Sequence, residues 1–247
     1  MVPDSYRDRR AEVSGGITWS YGYQLTETEL IYGRQPVAEA ERGRRDVLRI
    51  WRAPETSNEE LTAMVESPDH QGVVAEVEGF VYTDGSKMLA EPDNLILVLD
   101  QVQDPRNLGA LCRSAEVAGC AGVVIPDRRS ARVTAVACKA SAGAVEHLEV
   151  ARVRNIADWL AAARDAGYWI WGAAGEADTP PWGVDLTGST VIVMGAEGSG
   201  LRPRVAAGCD GLVAIPQLGR IDSLNVSTAA SVLLFESVRQ RSAAGSK

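Results

Sequence analysis

Between Asn94 and Asp100 the chain reads Leu-Ile-Leu-Val-Leu, with no polar residue among the five. Such a run is typical of a strand buried on both faces of a parallel sheet, and it constrains the rest of the chain accordingly. The pattern continues downstream. A loop over 101–106 leads to a helix over 107–118, with Gly119 suited to a left-handed C-terminal cap. Further strands are expected over 122–125, 148–153, 168–172, 191–194 and 212–215, with helices over 133–142, 157–166 and 225–239 and a short one after the loop at 195–200. Regular strand–helix alternation predicts an α/β fold, a parallel sheet covered by helices on both faces.

Upstream, the periodicity is different. Residues 1–30 are charged and then carry the aromatic alternation Trp19-Ser20-Tyr21-Gly22-Tyr23, which reads as a loosely attached extension or an edge strand. Residues 31–82 form a small α/β module: Ile31-Tyr32-Gly33 turning into a helix near Pro36, a strand over 47–51, a helix over 59–66 and a strand over 72–77. Residues 83–94, with Gly85 and Pro92, look like a linker, and residues 95–247 form the main domain.

Composition excludes several functions. No apolar run approaches the roughly 18 residues that span a bilayer, and Met1 to Val13 is charged where a signal peptide is apolar. A soluble, cytoplasmic protein is expected. Four scattered cysteines and two histidines argue against structural zinc or a disulfide framework, so no metal is expected. The net charge of −8 argues against nucleic acid until its distribution is considered: residues 1–94 hold 10 basic against 18 acidic side chains, whereas the remainder is balanced at 15 of each. Local arginine groups can still face phosphate. They are Arg42, Arg44, Arg45, Arg49 and Arg52 in the small module, and Arg128, Arg129, Arg132, Arg152, Arg154, Arg202 and Arg204 in the main domain.

Two strand-to-helix loops close in sequence, 195–200 and 216–224, are expected side by side at one sheet edge, where α/β proteins bind ligands. Glu197, Asp222, Ser223 and Asn225 concentrate there. The loop Gly195-Ala-Glu-Gly-Ser-Gly200 lacks the Lys-Ser/Thr of a Walker loop and the G-x-G-x-x-G spacing, and its central Glu197 suits a cationic or hydroxyl-bearing ligand. No Ser/His/Asp set with a nucleophile elbow is present. Singly, each residue has a plainer reading. Arg113 is a surface arginine, Asn107 and Asn225 are helix caps, Gly195 and Gly198 make turns, and Ile215 and Leu224 belong to a core.

Three ordered segments change that reading: Asp104-Pro105-Arg106-Asn107-Leu108-Gly109-Ala110 with Arg113-Ser114-Ala115, then Val193-Met194-Gly195-Ala196-Glu197-Gly198 with Gly200-Leu201, then Ile215-Pro216 with Ser223-Leu224-Asn225-Val226-Ser227 and Leu234-Phe235-Glu236. Together they resemble the motifs of the SpoU/TrmH branch of the SPOUT RNA ribose 2′-O-methyltransferases. The resemblance implies a C-terminal trefoil knot, which topology rules alone would argue against. It also implies S-adenosylmethionine as cofactor, an RNA substrate and a homodimer. It further implies catalytic roles for Arg113, Asn107, Glu197, Ser223 and Asn225, and an adenosyl pocket lined by Gly195, Ala196, Gly198, Ile215, Pro216 and Leu224. The opening at Ile31 and the segment Asp69-His70-Gln71-Gly72-Val73-Val74-Ala75 are similar to the ribosomal-protein-like RNA-binding domain, here shortened, of enzymes that methylate a guanosine ribose of large-subunit ribosomal RNA. Transfer RNA is the alternative substrate, and a non-catalytic RNA-binding or ribosome-assembly protein is the alternative class.

Overall fold

The computed structural model describes residues 28–220 and 223–245. The aromatic alternation near Trp19 and the candidate Asp222 lie outside them. The first unit is a three-stranded antiparallel sheet of β1 (Thr28–Tyr32), β2 (Val47–Arg52) and β3 (Val73–Glu78), with β3 central. It carries α1 (Arg34–Ala40) and α2 (Asn58–Val65). Ser57 starts α2 with a capping box: its hydroxyl accepts from the Glu60 amide while the Glu60 carboxylate accepts from the Ser57 amide. The stretch expected as a turn into a helix therefore begins with a strand, β1, which pairs with β3 from Thr28↔Glu78 to Tyr32↔Val74.

The second unit is a six-stranded, all-parallel sheet in the order β6-β5-β4-β8-β7-β9. Its strands are β4 (Leu95–Leu99), β5 (Gly122–Pro126), β6 (Glu149–Val153), β7 (Trp169–Ala173), β8 (Thr190–Met194) and β9 (Gly211–Val213). Between them lie α3 (Pro105–Val117), α4 (Ala135–Ala140), α5 (Ile156–Asp165) and α6 (Pro203–Ala206), and α7 (Val226–Ala243) ends the chain. Strand alternation divides the core. Leu95, Leu97 and Leu99 of β4 face α3, α4 and α7, and Ile96 and Val98 face α5 and α6. All five are essentially inaccessible. At about 1.5–3 kcal/mol for each buried aliphatic side chain, such strands anchor the sheet.

The two units share one core, since Ile31, Val37, Val73 and Val77 pack in the same cluster as the α3–α4 side of the large sheet. Residues 83–94 are correspondingly not a free linker. Lys87–Leu89 forms a 3-10 turn with Met88 buried, Gly85 O accepts from Trp159 Nε1 at 3.0 Å, and Tyr168 Oη donates to Glu91 O at 2.9 Å.

The join also corrects the reading of the basic run. Arg45 is buried: its Nε donates to Glu146 Oε2 at 2.9 Å, its Nη2 pairs with the other oxygen, Glu29 lies 3.2 Å from Nη1, and the guanidinium sits 5.4 Å over the Phe80 ring. Burial works against the charge, but the Glu146 hydrogen bonds, together with the attraction of the groups around the guanidinium, outweigh it and hold the arginine charged. Arg44 is engaged by the Glu149 carboxylate and the Leu148 carbonyl. Arg45 thus faces inward and cannot contact phosphate. Its carboxylate partner lies 101 residues away, where a count of nearby acids does not look. Arg42 pairs with Glu39, Arg52 with Glu41 at 3.6 Å, and Arg49 stacks on Trp51 at 4.8 Å, all three on the surface.

Candidate active site

Three side chains from three segments meet at the C-terminal edge of β4 and β8. Asp104 caps α3 by accepting from the Arg106 amide at 2.8 Å, and Pro105 occupies the first helical turn, so Asn107 projects from the start of that helix. Asn225 caps α7, its Oδ1 accepting from Ser227 N at 2.9 Å. Its Nδ2 is therefore free to donate, to Glu197 Oε1 at 2.8 Å and to Asn107 Oδ1 at 3.0 Å. Asn107 Nδ2 donates to the same Glu197 oxygen at 3.1 Å. The cap and the cluster use opposite ends of one amide. This locks the orientation of Asn225 and leaves Glu197 Oε2 without a hydrogen bond among the described residues.

Glu197 is carried by a loop folded tightly on itself: Ala196 and Gly200 exchange backbone hydrogen bonds of 3.1 and 3.0 Å. A Cβ on Gly195 would stand 2.2 Å from the Gly200 carbonyl carbon, so only glycine permits that closure. Gly198 and Gly200 take φ of 78° and 64°, the left-handed region. The base of the loop is tied to β4. Buried Asp100 accepts from the Arg202 amide at 2.9 Å and from its guanidinium at 2.8 Å.

Beside the cluster is a cavity of about 380 Å³, lined by the loops after β8, β9 and β7 and by the first turns of α7. Gly195, Ala196, Gly198, Ile215 and Leu224 line it, as do Glu197 and Ser223. Pro216 does not, although both its neighbours do. The sequence reading missed the third wall, Ala173 to Glu176. Its signal was a glycine, Gly175, three residues after a predicted strand. Among the described residues the lining is apolar apart from a few polar groups and carries the carboxylates Glu176 and Glu197 with no Lys, Arg or His. A phosphate-bearing cofactor would meet repulsion there, whereas one bearing a sulfonium and an ammonium fits.

Arg113 is not gathered into this cluster. It is exposed, with no hydrogen bond or ion pair to any described residue. Helix geometry places it about 9 Å along α3 and about 120° around from Asn107. It shares the outer face of α3 with Val117, and α7 presents Val232 and Phe235, all three exposed. Ser114 and Ser231 hydrogen-bond across the two helices at 2.8 Å. Among the described residues there is no group of three or more side chains suited to a metal ion, and no helix long and apolar enough to cross a membrane.

The SpoU rRNA Methylase family matches over residues 94–235. A 23S rRNA (guanosine-2′-O-)-methyltransferase, RlmB, of Shewanella oneidensis is 44% identical over 190 residues, which is 75% of this chain and 77% of the relative. The RlmB of Xanthomonas campestris is 47% identical over 183 residues, 70% and 71% of the two chains. Among solved structures, the SpoU methyltransferase AviRb of Streptomyces viridochromogenes, in complex with AdoMet, superposes with a TM-score of 0.73 at 27% identity, over 86% of this chain and 89% of its own. An AdoMet-bound rRNA methyltransferase of Sinorhizobium meliloti, at 23% identity, shares the fold with a TM-score of 0.76, over 86% and 87% of the two chains.

Proposed function

The chain belongs to the SpoU rRNA Methylase family, and on that premise we propose that it is an S-adenosylmethionine-dependent RNA 2′-O-ribose methyltransferase acting on a guanosine of 23S ribosomal RNA. The observation that carries this is the amide–carboxylate cluster of Asn107, Glu197 and Asn225 at the mouth of a cation-tolerant, phosphate-averse cavity. When bound, S-adenosylmethionine supplies a methyl group made electrophilic by its sulfonium. Glu176 and Glu197 balance the positive charge of the cavity's occupant, and Ile215, Leu224 and Met194 cover its apolar faces.

The cluster orients the ribose. Glu197, fixed through one oxygen by two asparagine amides, offers the other to a ribose hydroxyl, and the 2′-oxygen is thereby held in line with the methyl group. Ser223, on the lip of the cavity, is a second hydroxyl partner. Arg113, turned away from the cluster of its own chain, steadies charge developing on the 2′-oxygen, or grips the adjacent phosphate, in the site of a partner copy. A guanidinium holds its proton too tightly to act as a base, so proton removal falls to another group.

The exposed apolar face of Val117, Val232 and Phe235 supports a homodimer, in which Arg113 lies at the subunit boundary. The order β4-β8-β7-β9, with α7 returning to α3, supports the trefoil threading of the C-terminal segment. In the small module, Arg42, Arg49 and Arg52 are left as RNA contacts, and the protein is placed in the cytoplasm with its substrate. The test is transfer of labelled methyl from S-adenosylmethionine to an unmodified 23S rRNA transcript, followed by alkaline hydrolysis. A 2′-O-methyl group blocks cleavage at its own phosphodiester, so the label is expected in an alkali-resistant dinucleotide with guanosine on the 5′ side. Label on a base, or transfer only to transfer RNA, would overturn the proposal.

A further inference from the structure

A second concavity, of opposite charge, lies at the same edge of the sheet. It measures about 340 Å³ and sits over the C-terminal ends of β4, β5 and β6, lined by Arg128 and Arg129 after β5, Arg154 after β6, and Arg202 and Arg204 at the start of α6. Two of these five are satisfied internally, Arg202 by buried Asp100 and Arg204 by Asp158 at 2.8 Å. Arg128, Arg129 and Arg154 are exposed and make no hydrogen bond or ion pair with any described residue. The nearest acidic residue in sequence, Asp127, is taken by Arg152 at 3.4 Å. In a chain of net charge −8, this basin gathers cations without matching carboxylates. Three unpaired guanidiniums around one concavity focus a positive potential there that draws an anion.

Position indicates which anion. Strand spacing of about 4.8 Å puts β5 roughly 10 Å from β8, so the basin lies about two strands from the Asn107–Glu197–Asn225 cluster. Asp100 and Gln101 connect the two, since β4 ends at the basin and leads directly into the loop before α3, whose first turn carries Asn107. A polyanionic strand with its target ribose at the cluster can cross the end of β4 onto the basin, where planar guanidinium forks match phosphate oxygens. We propose that Arg128, Arg129 and Arg154 form a binding site for the phosphodiesters next to the target nucleotide of the RNA substrate. The inference rests on the function proposed above and assigns a substrate path to residues outside the family's three motif segments.

The experiment compares wild-type protein with the triple variant Arg128→Gln, Arg129→Gln, Arg154→Gln, using an unmodified 23S rRNA transcript between 50 and 300 mM KCl. The slope of log affinity against log salt is expected to fall by about two units, at about 0.7 per phosphate contact on single-stranded RNA. KM for the transcript is expected to rise about tenfold at physiological salt, three weak exposed contacts being lost. S-adenosylmethionine affinity and turnover at saturating RNA are expected to stay within twofold. The control, Lys87→Gln with Arg164→Gln at the opposite edge of the sheet, is expected to leave slope and KM unchanged. An unchanged slope in the triple variant, or an equal loss in the control, overturns this site while methylation by the wild type leaves the proposed function standing. A wild type that binds transcript without methylating it removes the proposed function, and the slope still decides the basin. A wild type that binds no RNA overturns both.

Discussion

At the scale of single residues, the structure separates arginines that look alike in sequence. Arg45 and Glu146 form a buried pair, and breaking such a pair costs about 3–5 kcal/mol because a charge stays buried without its partner. Arg45→Gln is therefore expected to lower the melting temperature by about 10 °C without changing the salt dependence of RNA binding. Arg45→Met combined with Glu146→Leu should recover most of the loss in a thermal melt. Arg113 is the reverse case, exposed and unpaired, so Arg113→Ala should leave melting and S-adenosylmethionine affinity unchanged. It should lower single-turnover methyl transfer about a hundredfold or more. Arg113→Lys should recover little, since an ammonium lacks the planar fork. Near-normal transfer by the alanine variant would return Arg113 to a surface role. The thiols of Cys112, Cys120, Cys138 and Cys209 are all pushed up to about 12, chiefly by burial. A raised thiol pKa leaves stability intact below the unfolded value of about 8.5 and erodes it as pH rises toward 12. Native protein at pH 8 should resist alkylation, and urea midpoints should fall progressively above pH 8.5. Rapid labelling of native protein at pH 8 would contradict this.

At the scale of elements, the loop after β8 depends on a close backbone approach more than on its side chains. Gly195→Ala would press a methyl group into the Gly200 carbonyl, 2.2 Å from its carbon, and force the loop open. The family resemblance implied only that Gly195 lines the adenosyl pocket. The structure shows that a side chain there would strike the loop's own backbone. Calorimetry should show at least about a tenfold loss of S-adenosylmethionine affinity. Gly198→Ala meets nothing within 4 Å and bears only the strain of positive φ, about 1–2 kcal/mol per residue. Its effect should be smaller, and equal losses would mean that φ matters and the close approach does not.

At the scale of the whole molecule, the outer face of α3 and α7, with Val117, Val232 and Phe235 exposed, is the contact proposed for the dimer. Phe235, 46% exposed, lies one helical turn beyond Val232 on α7. Phe235→Glu should convert a sedimenting dimer to a monomer and abolish RNA methylation while preserving the melting transition of each protomer. A wild type that sediments as a monomer would remove the dimer from the proposal.

The sequence by itself determined what depends on local periodicity. The apolar run marked Leu95 to Leu99 as a strand buried on both faces of a parallel sheet, whereas which of its side chains face each helical layer is visible only in the folded core. The Asn225 cap and the loops that line the cavity were legible as well, because strand burial and helix capping are satisfied within a few residues. Tertiary structure decided the partnerships. Asn107, Glu197 and Asn225 are 90 and 28 residues apart, and only the placing of β8 beside β4 brings their amides onto one carboxylate. The same applies to Arg45 with Glu146, to Arg202 with Asp100, and to the wall after β7, whose strand lies next to β8 in the sheet. A residue's type and neighbours encode whether it is to be buried or paired. The identity of the pair comes from strand order, which is a property of the folded chain as a whole.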